Sequence, residues 1–244
     1  MAKEHIYKKD YEVRFFDCTP QKAARLSTVM HVMGDVAGLD YTERGYGHDE
    51  LWDKGMVFLL SRVSIHFERM PHADEKIAFT TWEHGIEGPL FYRYFELIDE
   101  SGAVIADADT AWILVDPVSR KILRPSVFYG EYIIVAEKLI KAPKPTRIRL
   151  SDQAVLCGER PVYYSDLDEN GHMNNARYAD IVFDFLNEEQ RKSEISEFMI
   201  NFNHEALMED VLEIKADIND KTAVVGADFK SRKDNCFTAK VTFK

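Results

Sequence analysis

Two stretches of the chain carry apolar residues at helical spacing. The first is predicted to open at Thr19-Pro20, where a hydroxyl can cap a helix and proline suits the first turn. Its apolar stripe comprises Leu26, Val29, Met30, Val32, Met33, Val36 and Ala37. The second follows Asn174-Asn175 and comprises Tyr178, Ile181, Val182, Phe185 and Leu186. A shift of 149 residues places the second stripe on the first, so the pattern predicts two related amphipathic helices.

Alternation of apolar and polar residues follows each helix and predicts half-buried strands. The run through Val63, Ile65 and Phe67 aligns with Phe198, Ile200 and Phe202 at a shift of 135 residues. The further strand-like runs are 74–82, 91–98 and 103–115 in the first half, and 209–217, 222–230 and 237–243 in the second. The turn Asp99–Gly102 has the composition of a hairpin connection.

This repeated order of one helix and several strands indicates an internal duplication. A helix wrapped by an antiparallel sheet is the plan of the hotdog fold. We therefore predict an α+β tandem (double) hotdog in which each copy has a long central helix. The predicted division is an N-terminal hotdog at 1–130, a linker at 131–160 and a C-terminal hotdog at 161–244. The first copy has extra residues near 40–55, which suit a lid or a pocket wall.

Composition restricts the classes of partner and the compartment. The net charge of −11 argues against nucleic acid as a partner, because polyanion binding needs excess basic charge. No apolar run is long enough to span a membrane, and the charged start lacks the apolar core of a signal peptide. Three cysteines without a close pair favour a reducing compartment, so we expect a cytoplasmic protein. The basic run 138–149 fits either a solvated linker or a docking site for an acidic protein.

Candidate chemistry concentrates just before the second helix. Asp168, Asn170 and His172 alternate along the chain, and the following helix start offers unpaired backbone N–H groups suited to an oxyanion. The alternative is that these residues only cap the helix. The 149-residue shift gives Thr19, Gln21 and Ala23 in the first copy, so the fold does not require the polar trio. Similarly, the 135-residue shift places Met70 where the second copy has Glu205.

Two motifs make the chain resemble the acyl-acyl carrier protein (acyl-ACP) thioesterases of the plant plastid and bacterial type. SDLDENGHMNN (165–175) is similar to the family's Asp-x-Asn-x-His-x-Asn-Asn motif, and INFNHEALMEDVL (200–212) to its second catalytic strand. The segments 68–99 and 112–116 are also similar to the family. The resemblance implies that Asp168, Asn170, His172 and Glu205 are catalytic. Plant members often have cysteine after that glutamate, whereas this chain has Ala206, which excludes a cysteine nucleophile there.

The resemblance implies hydrolysis of fatty-acyl-ACP to free fatty acid and acyl carrier protein, without cofactor or metal. We expect Glu205 to act as general base for water, or less readily as nucleophile, with Asp168 orienting or sharing that role. We expect His172 and a backbone N–H to hold the thioester oxygen. The first helix would line the acyl pocket, although its methionines fit ordinary core equally well. The substrate-binding candidates are Met30, Met33, Val36, Asn174 and Asn175.

Several alternatives remain open at this stage. The same fold suits an acyl-coenzyme A thioesterase, a hydroxyacyl dehydratase or a non-catalytic acyl-binding regulatory module. Strict strand alternation puts Glu205 on the face opposite Phe198, Ile200 and Phe202, so we expect a bulge or a strand end near 203–205. One active site per chain is predicted, and a homodimer through sheet edges is compatible with the pattern. Acyl chain length cannot be read from this pattern.

Overall fold

The computed structural model describes residues 5–135 and 138–244. The helices of the described residues are α1 (Leu26–Glu43), α2 (His48–Asp53), α3 (Arg177–Asp184) and α4 (Glu188–Lys192). The first-half strands are β1 (Tyr7–Glu12), β2 (Val57–Phe67), β3 (Lys76–Glu87), β4 (Leu90–Ile98) and β5 (Val104–Val115). The second-half strands are β6 (Val155–Pro161), β7 (Ile195–Phe202), β8 (Val211–Ile218), β9 (Thr222–Phe229) and β10 (Asn235–Phe243).

These strands form one antiparallel sheet in the order β1-β3-β4-β5-β2-β7-β10-β9-β8-β6. Reading outward from the central β2–β7 pair, the two halves repeat the same strand order. Val63 of β2 lies opposite Ile200 of β7, so the main-chain ladder joins the halves directly. The symmetric order and the helix of each half confirm the predicted α+β double hotdog.

Helices α1 and α3 pack on the same side of the sheet, where both halves share a continuous core. Val29, Val32 and Val36 of α1 are buried with Ile181 and Val182 of α3 against inward-facing strand residues. The helices are also linked by a hydrogen bond of 2.5 Å from Ser27 Oγ to Asp180 Oδ1. This packing places the start of α3, and the turn before it, beside the flank of α1.

The two helices differ from their predicted extents. Helix α1 begins at Leu26 and not at Thr19-Pro20, because Thr19 closes a tight turn by donating its amide to Ala23 O at 2.8 Å. Helix α3 has only 8 residues, since Phe185 ends it and Asn187 then caps α4 by accepting from the Gln190 amide. The expectation of a long central helix is therefore right for the first copy, where α1 has 18 residues, and wrong for the second.

The predicted strands are confirmed, but β1 and β6 escape the sequence pattern. Both are edge strands, pairing with β3 and β8, and their largely exposed side chains give little apolar alternation. All of strand β6 except Pro161 lies within the stretch 131–160 that the sequence assigns to the linker. The division of the chain into domains stays a prediction, and residues 1–4 and 136–137 lie outside the described part.

The stretch 138–149 crosses the sheet and is held there by ion pairs. Lys138 pairs with Glu96 at 2.6 Å, Lys144 with Glu87 at 2.5 Å, and Lys141 with Glu68. These three lysines thus pair with the protein's own carboxylates, whereas Arg147 and Arg149 of the same run are exposed, and docking of an acidic protein stays a prediction. Among the described residues, none of the helices has both the length and the apolar composition needed to cross a membrane.

Candidate active site

The turn that precedes α3 is shaped by the Asp168 carboxylate. The Asp168 amide donates to His172 O at 2.8 Å, and Gly171 occupies the left-handed region at φ +75°, which glycine adopts without strain. Asp168 Oδ1 accepts the amides of Asn170 at 2.9 Å and His172 at 3.3 Å. This carboxylate therefore fixes the backbone that carries the imidazole.

Glu205 reaches this turn because β7 ends before it. The strand stops at Phe202, and the amides of Asn203 and His204 both donate to Cys236 O, which breaks strict alternation as the sequence analysis expects. Glu205 Oε2 then lies 3.6 Å from His172 Nε2, with both side chains partly exposed. The structure thus brings together an imidazole and a carboxylate that are far apart in sequence.

Arg120 is a member of this cluster that sequence reasoning missed. It lies in the turn after β5, has φ 59°, and its guanidinium contacts Glu205 Oε2. Burial lowers the pKa of His172 below its ordinary value, the Arg120 charge lowers it further, and Asp168 opposes the shift. No local signal predicts a pairing between residues in different halves of the chain.

The asparagines of the motif have separate positions. Asn170 is exposed, and its backbone amide, rather than its side chain, makes the recorded contact with Asp168. Asn174 Oδ1 accepts the Ala176 amide at 2.9 Å, which stabilises the start of α3. Asn174 and Asn175 both line a cavity beside Asp168. The polar trio is therefore grouped by one turn without converging on one point.

That cavity, termed here the proximal cavity, has a volume of about 200 Å³. Its lining includes Asp168, Asn174, Asn175, Met30, Met33, Gly34, Leu60, Val63, Phe95 and Trp112. A distal cavity of about 170 Å³ lies further along α1, lined by Gly34, Gly38, Tyr41, Leu51, Phe58, Phe91, Arg93 and Trp112 among others. Tyr41 and Leu51 belong to the extra segment 40–55, which supports its interpretation as a pocket wall. Val36, a predicted substrate residue, is fully buried in the core and lines neither cavity.

Two further residues near this site, Ala206 and Cys236, bear on a cysteine nucleophile. Ala206 is fully buried beside the turn, and the nearby Cys236 thiol is buried at 3.8 Å from Tyr178 Oη. Burial raises the pKa of Cys236 to about 12, which disfavours a thiolate. Within residues 5–135 and 138–244, no three His, Cys, Asp or Glu side chains are grouped as metal ligands.

The equivalent turn in the first half has the same backbone without these side chains. Lys22 occupies the left-handed position at φ 63°, and Ala24 donates its amide to Pro71 O at 2.7 Å as Met173 does to Ala206 O at 2.8 Å. The positions of His172 and Glu205 correspond to Ala23 and Met70. Fold and site together define a double-hotdog protein in which the turn of the second half, unlike its counterpart in the first half, carries an imidazole beside a carboxylate.

Comparison with known proteins identifies the family. Residues 4–126 match the acyl-ACP thioesterase N-terminal domain, and residues 151–244 match the acyl-ACP thioesterase C-terminal domain. The chain therefore belongs to the acyl-ACP thioesterase family.

Individual relatives are distant in sequence but close in fold. A chloroplastic palmitoyl-acyl carrier protein thioesterase of Gossypium hirsutum is 20% identical over 71% of this chain and 45% of its own length. An acyl-ACP thioesterase from Bacteroides thetaiotaomicron superposes with a TM-score of 0.90 at 23% identity, over 98% of both chains. The 12:0-ACP thioesterase from Umbellularia californica gives a TM-score of 0.82 at 17% identity, over 98% of this chain and 97% of that one. The chain thus has the fold of these two structures but spans about half the length of the Gossypium hirsutum relative.

Proposed function

We propose that the chain hydrolyses fatty-acyl-ACP thioesters to free fatty acid and acyl carrier protein. The observation that carries this proposal is the distance of 3.6 Å between His172 Nε2 and Glu205 Oε2. The turn that presents His172 also places Asp168 at the wall of the proximal cavity. The first half keeps the backbone of this turn but not its chemistry. Membership of the acyl-ACP thioesterase family supports the same reaction and carrier.

In the proposed reaction, Glu205 takes a proton from a water molecule as the water attacks the thioester carbonyl carbon. The carbon–sulfur bond then breaks, and the departing thiolate receives the proton held by Glu205. Because the pKa of His172 is lowered, its imidazole is neutral near pH 7 and offers one N–H donor. We assign that donor, together with backbone N–H groups at the start of α3, to the developing oxyanion.

Asp168 is assigned a positioning role, because its carboxylate accepts two amides of the turn that presents His172. Asn170 is retained as a candidate for contacting the polar part of the substrate, since its side chain is exposed next to the site. Met30 and Met33 would contact the acyl chain, with Asn174 and Asn175 at the cavity wall nearest Asp168. Val36 would support this wall from the core.

The proposed reaction also suggests a partner, a metabolic process and a compartment. Acyl carrier protein is the proposed partner, and fatty acid biosynthesis is the process that supplies such a substrate. We place the reaction in the cytoplasm on the ground of three free cysteines, of which Cys157 is exposed. A homodimer through the outermost strands, β1 and β6, stays an expectation.

A thiol-release assay on matched acyl-ACP and acyl-coenzyme A substrates tests the proposal. We expect turnover of the carrier substrates and a loss of about 10²–10⁴ in kcat for Glu205→Gln. Met70→Gln changes the equivalent position of the first half and should leave the rate near that of the wild type. Exclusive turnover of coenzyme A substrates would assign the chain to acyl-coenzyme A thioesterases. Acyl binding by a folded wild type without any turnover would support a regulatory module instead.

A further inference from the structure

Two glycines lie inside the long helix α1, where glycine is unfavourable because it has the largest backbone entropy to lose. Gly34 and Gly38 are four residues apart and therefore share one face of the helix. Apart from the neighbouring backbone of the helix itself, no atom of the described residues lies within 4 Å of an ideal Cβ at either position. Both glycines are exposed to solvent, so the missing side chains leave an open groove along this face.

Two cavities lie along this face of α1. Gly34 and Trp112 line both the proximal and the distal cavity. Met30, one turn earlier on α1, lines only the proximal cavity, and Gly38, one turn later, lines only the distal one. The order of lining residues along α1 thus describes a slot that leads away from Asp168, with Gly34 at its junction.

Buried ion pairs close the far end of this slot. Arg93, which lines the distal cavity, places Nη2 at 2.7 Å from Asp40 Oδ2, and Arg44 Nη1 lies 2.9 Å from Glu83 Oε1. Asp40, Arg93 and Glu83 are all nearly inaccessible to solvent. An apolar chain end cannot replace these partners, and separating them would leave charges buried and unpaired. The floor of the slot is therefore resistant to displacement by a longer chain.

The corresponding positions of the second half carry side chains. The 149-residue shift that relates the helices places Phe183 of α3 at the position of Gly34. The position of Gly38 corresponds to Asn187, which lies beyond the end of α3. Absence of a side chain at these two positions is thus a property of the first copy rather than a requirement of the repeated helix.

The length of the slot indicates the length of its ligand. From Met30 to Tyr41 the helix rises by about 16 Å, at about 1.5 Å per residue. An extended hydrocarbon advances about 1.25 Å per carbon, given a C–C bond of about 1.5 Å. A chain of about 12 to 14 carbons would span that distance.

We propose that Gly34 is the residue that admits acyl chains of this length, and that Gly38 adjusts the space available to the terminal carbons. The chain lies along α1, passes between Gly34 and Trp112, and ends against the Arg93–Asp40 floor. This assignment rests on the proposed thioesterase function, since it concerns the acyl group of the same substrate.

The test compares Gly34→Leu and Gly38→Leu with wild type on acyl-ACP substrates from hexanoyl to octadecanoyl. We expect the wild type to prefer dodecanoyl or tetradecanoyl chains. Gly34→Leu should lower kcat/KM for these by at least about tenfold, since several methylenes lose their site, while hexanoyl turnover is retained. Gly38→Leu should reduce the longest accepted chains first. Gly34→Ala adds only a Cβ, for which the space is open, and should lie between the wild type and Gly34→Leu. Leu39→Ala is the control, because Leu39 is an exposed residue of α1 that lines neither cavity, and its length profile should match the wild type.

A second measurement does not depend on turnover. Dodecanoate should raise the Tm of the wild type and of Leu39→Ala, but not of Gly34→Leu, whereas hexanoate should affect all three alike. Circular dichroism establishes that each variant is folded. An unchanged length profile in folded Gly34→Leu would overturn the inference and leave the thioesterase function intact. A wild type inactive on every chain length would instead refute the proposed function.

Discussion

The turns before α1 and α3 have the same backbone and different side chains. The Thr19 amide donates to Ala23 O at 2.8 Å, and the Asp168 amide donates to His172 O at the same distance. The left-handed residue is Lys22 in one turn and Gly171 in the other. The hotdog connection therefore requires the turn, whereas the imidazole and carboxylate side chains of the second copy are additions to it.

The cavities beside the two turns differ in volume and in the residues that line them. The second-half turn adjoins the proximal cavity of about 200 Å³, whose lining combines apolar residues with polar ones that include His31, Asp35 and Thr110. The first-half turn adjoins a counterpart cavity of about 790 Å³, whose lining includes Thr19, Pro20, Ala23, His72, Phe183, Asp184 and Lys244. Under the proposed function, the first half contributes most of the acyl slot and the second half the reactive groups.

The largest expected effect is that of removing His172 from the second half, and removing His72 from the first half is its control. His172→Ala deletes the imidazole beside Glu205 and should lower kcat by about 10²–10⁴, the usual contribution of a positioned acid–base or oxyanion group. His72→Ala removes a histidine from the counterpart cavity, where Ala23 pairs with His72 as His172 pairs with Leu207. Its kcat should stay near the wild-type value in the same thiol-release assay. Equal losses in the two folded variants would mean that the halves share the chemistry.

Sequence reasoning found the duplication because apolar periodicity survives in both copies. It misplaced the start of α1, since Thr19-Pro20 has the composition of a helix cap but lies in the repeated turn. The apolar periodicity of α1 predicts Val36 as a substrate-binding residue, because periodicity identifies a buried stripe but does not distinguish core residues from residues that line a cavity. The fully buried Val36 and the cavity-lining Met33 belong to the same stripe.

The candidate site was predictable in part. Asp168, Asn170, His172 and Glu205 were selected by the asymmetry between the copies and by the family resemblance, and their roles stay predictions. Arg120 was not predictable, because its contact with Glu205 joins a turn of the first half to a strand end of the second. The importance of Gly34 was also hidden, since a residue that contributes empty space leaves no apolar or polar signal.

A smaller effect is expected from the residues that hold the two turns. Asp168→Ala removes the acceptor of two backbone amides and should lower the free energy of unfolding by about 1–3 kcal/mol. Asp168→Asn keeps an acceptor oxygen, so most of that stability and most of the activity should return. Thr19→Ala loses only the 3.2 Å hydrogen bond to Ala23 O and should cost about 0.5–1.5 kcal/mol. Urea unfolding measures all three, and equal stability of Asp168→Ala and wild type would contradict the positioning role.

The smallest expected change tests the contribution that the first half makes to the second-half cluster. Arg120 lowers the pKa of His172, so Arg120→Ala should raise that pKa and move the acidic limb of the kcat–pH profile to higher pH. The sign follows because the proposed mechanism needs neutral imidazole, which is lost as pH falls through the pKa of His172. Near pH 7 we expect kcat to fall by less than about twofold, because burial still disfavours the charged imidazole, and the loss should grow as the pH is lowered. Arg120→Lys should stay closer to wild type because it keeps a cation. Lys121→Ala removes a neighbouring cation from the same turn and should leave the limb in place. If Arg120→Ala raised KM without moving the limb, the guanidinium would act on the substrate and not through His172.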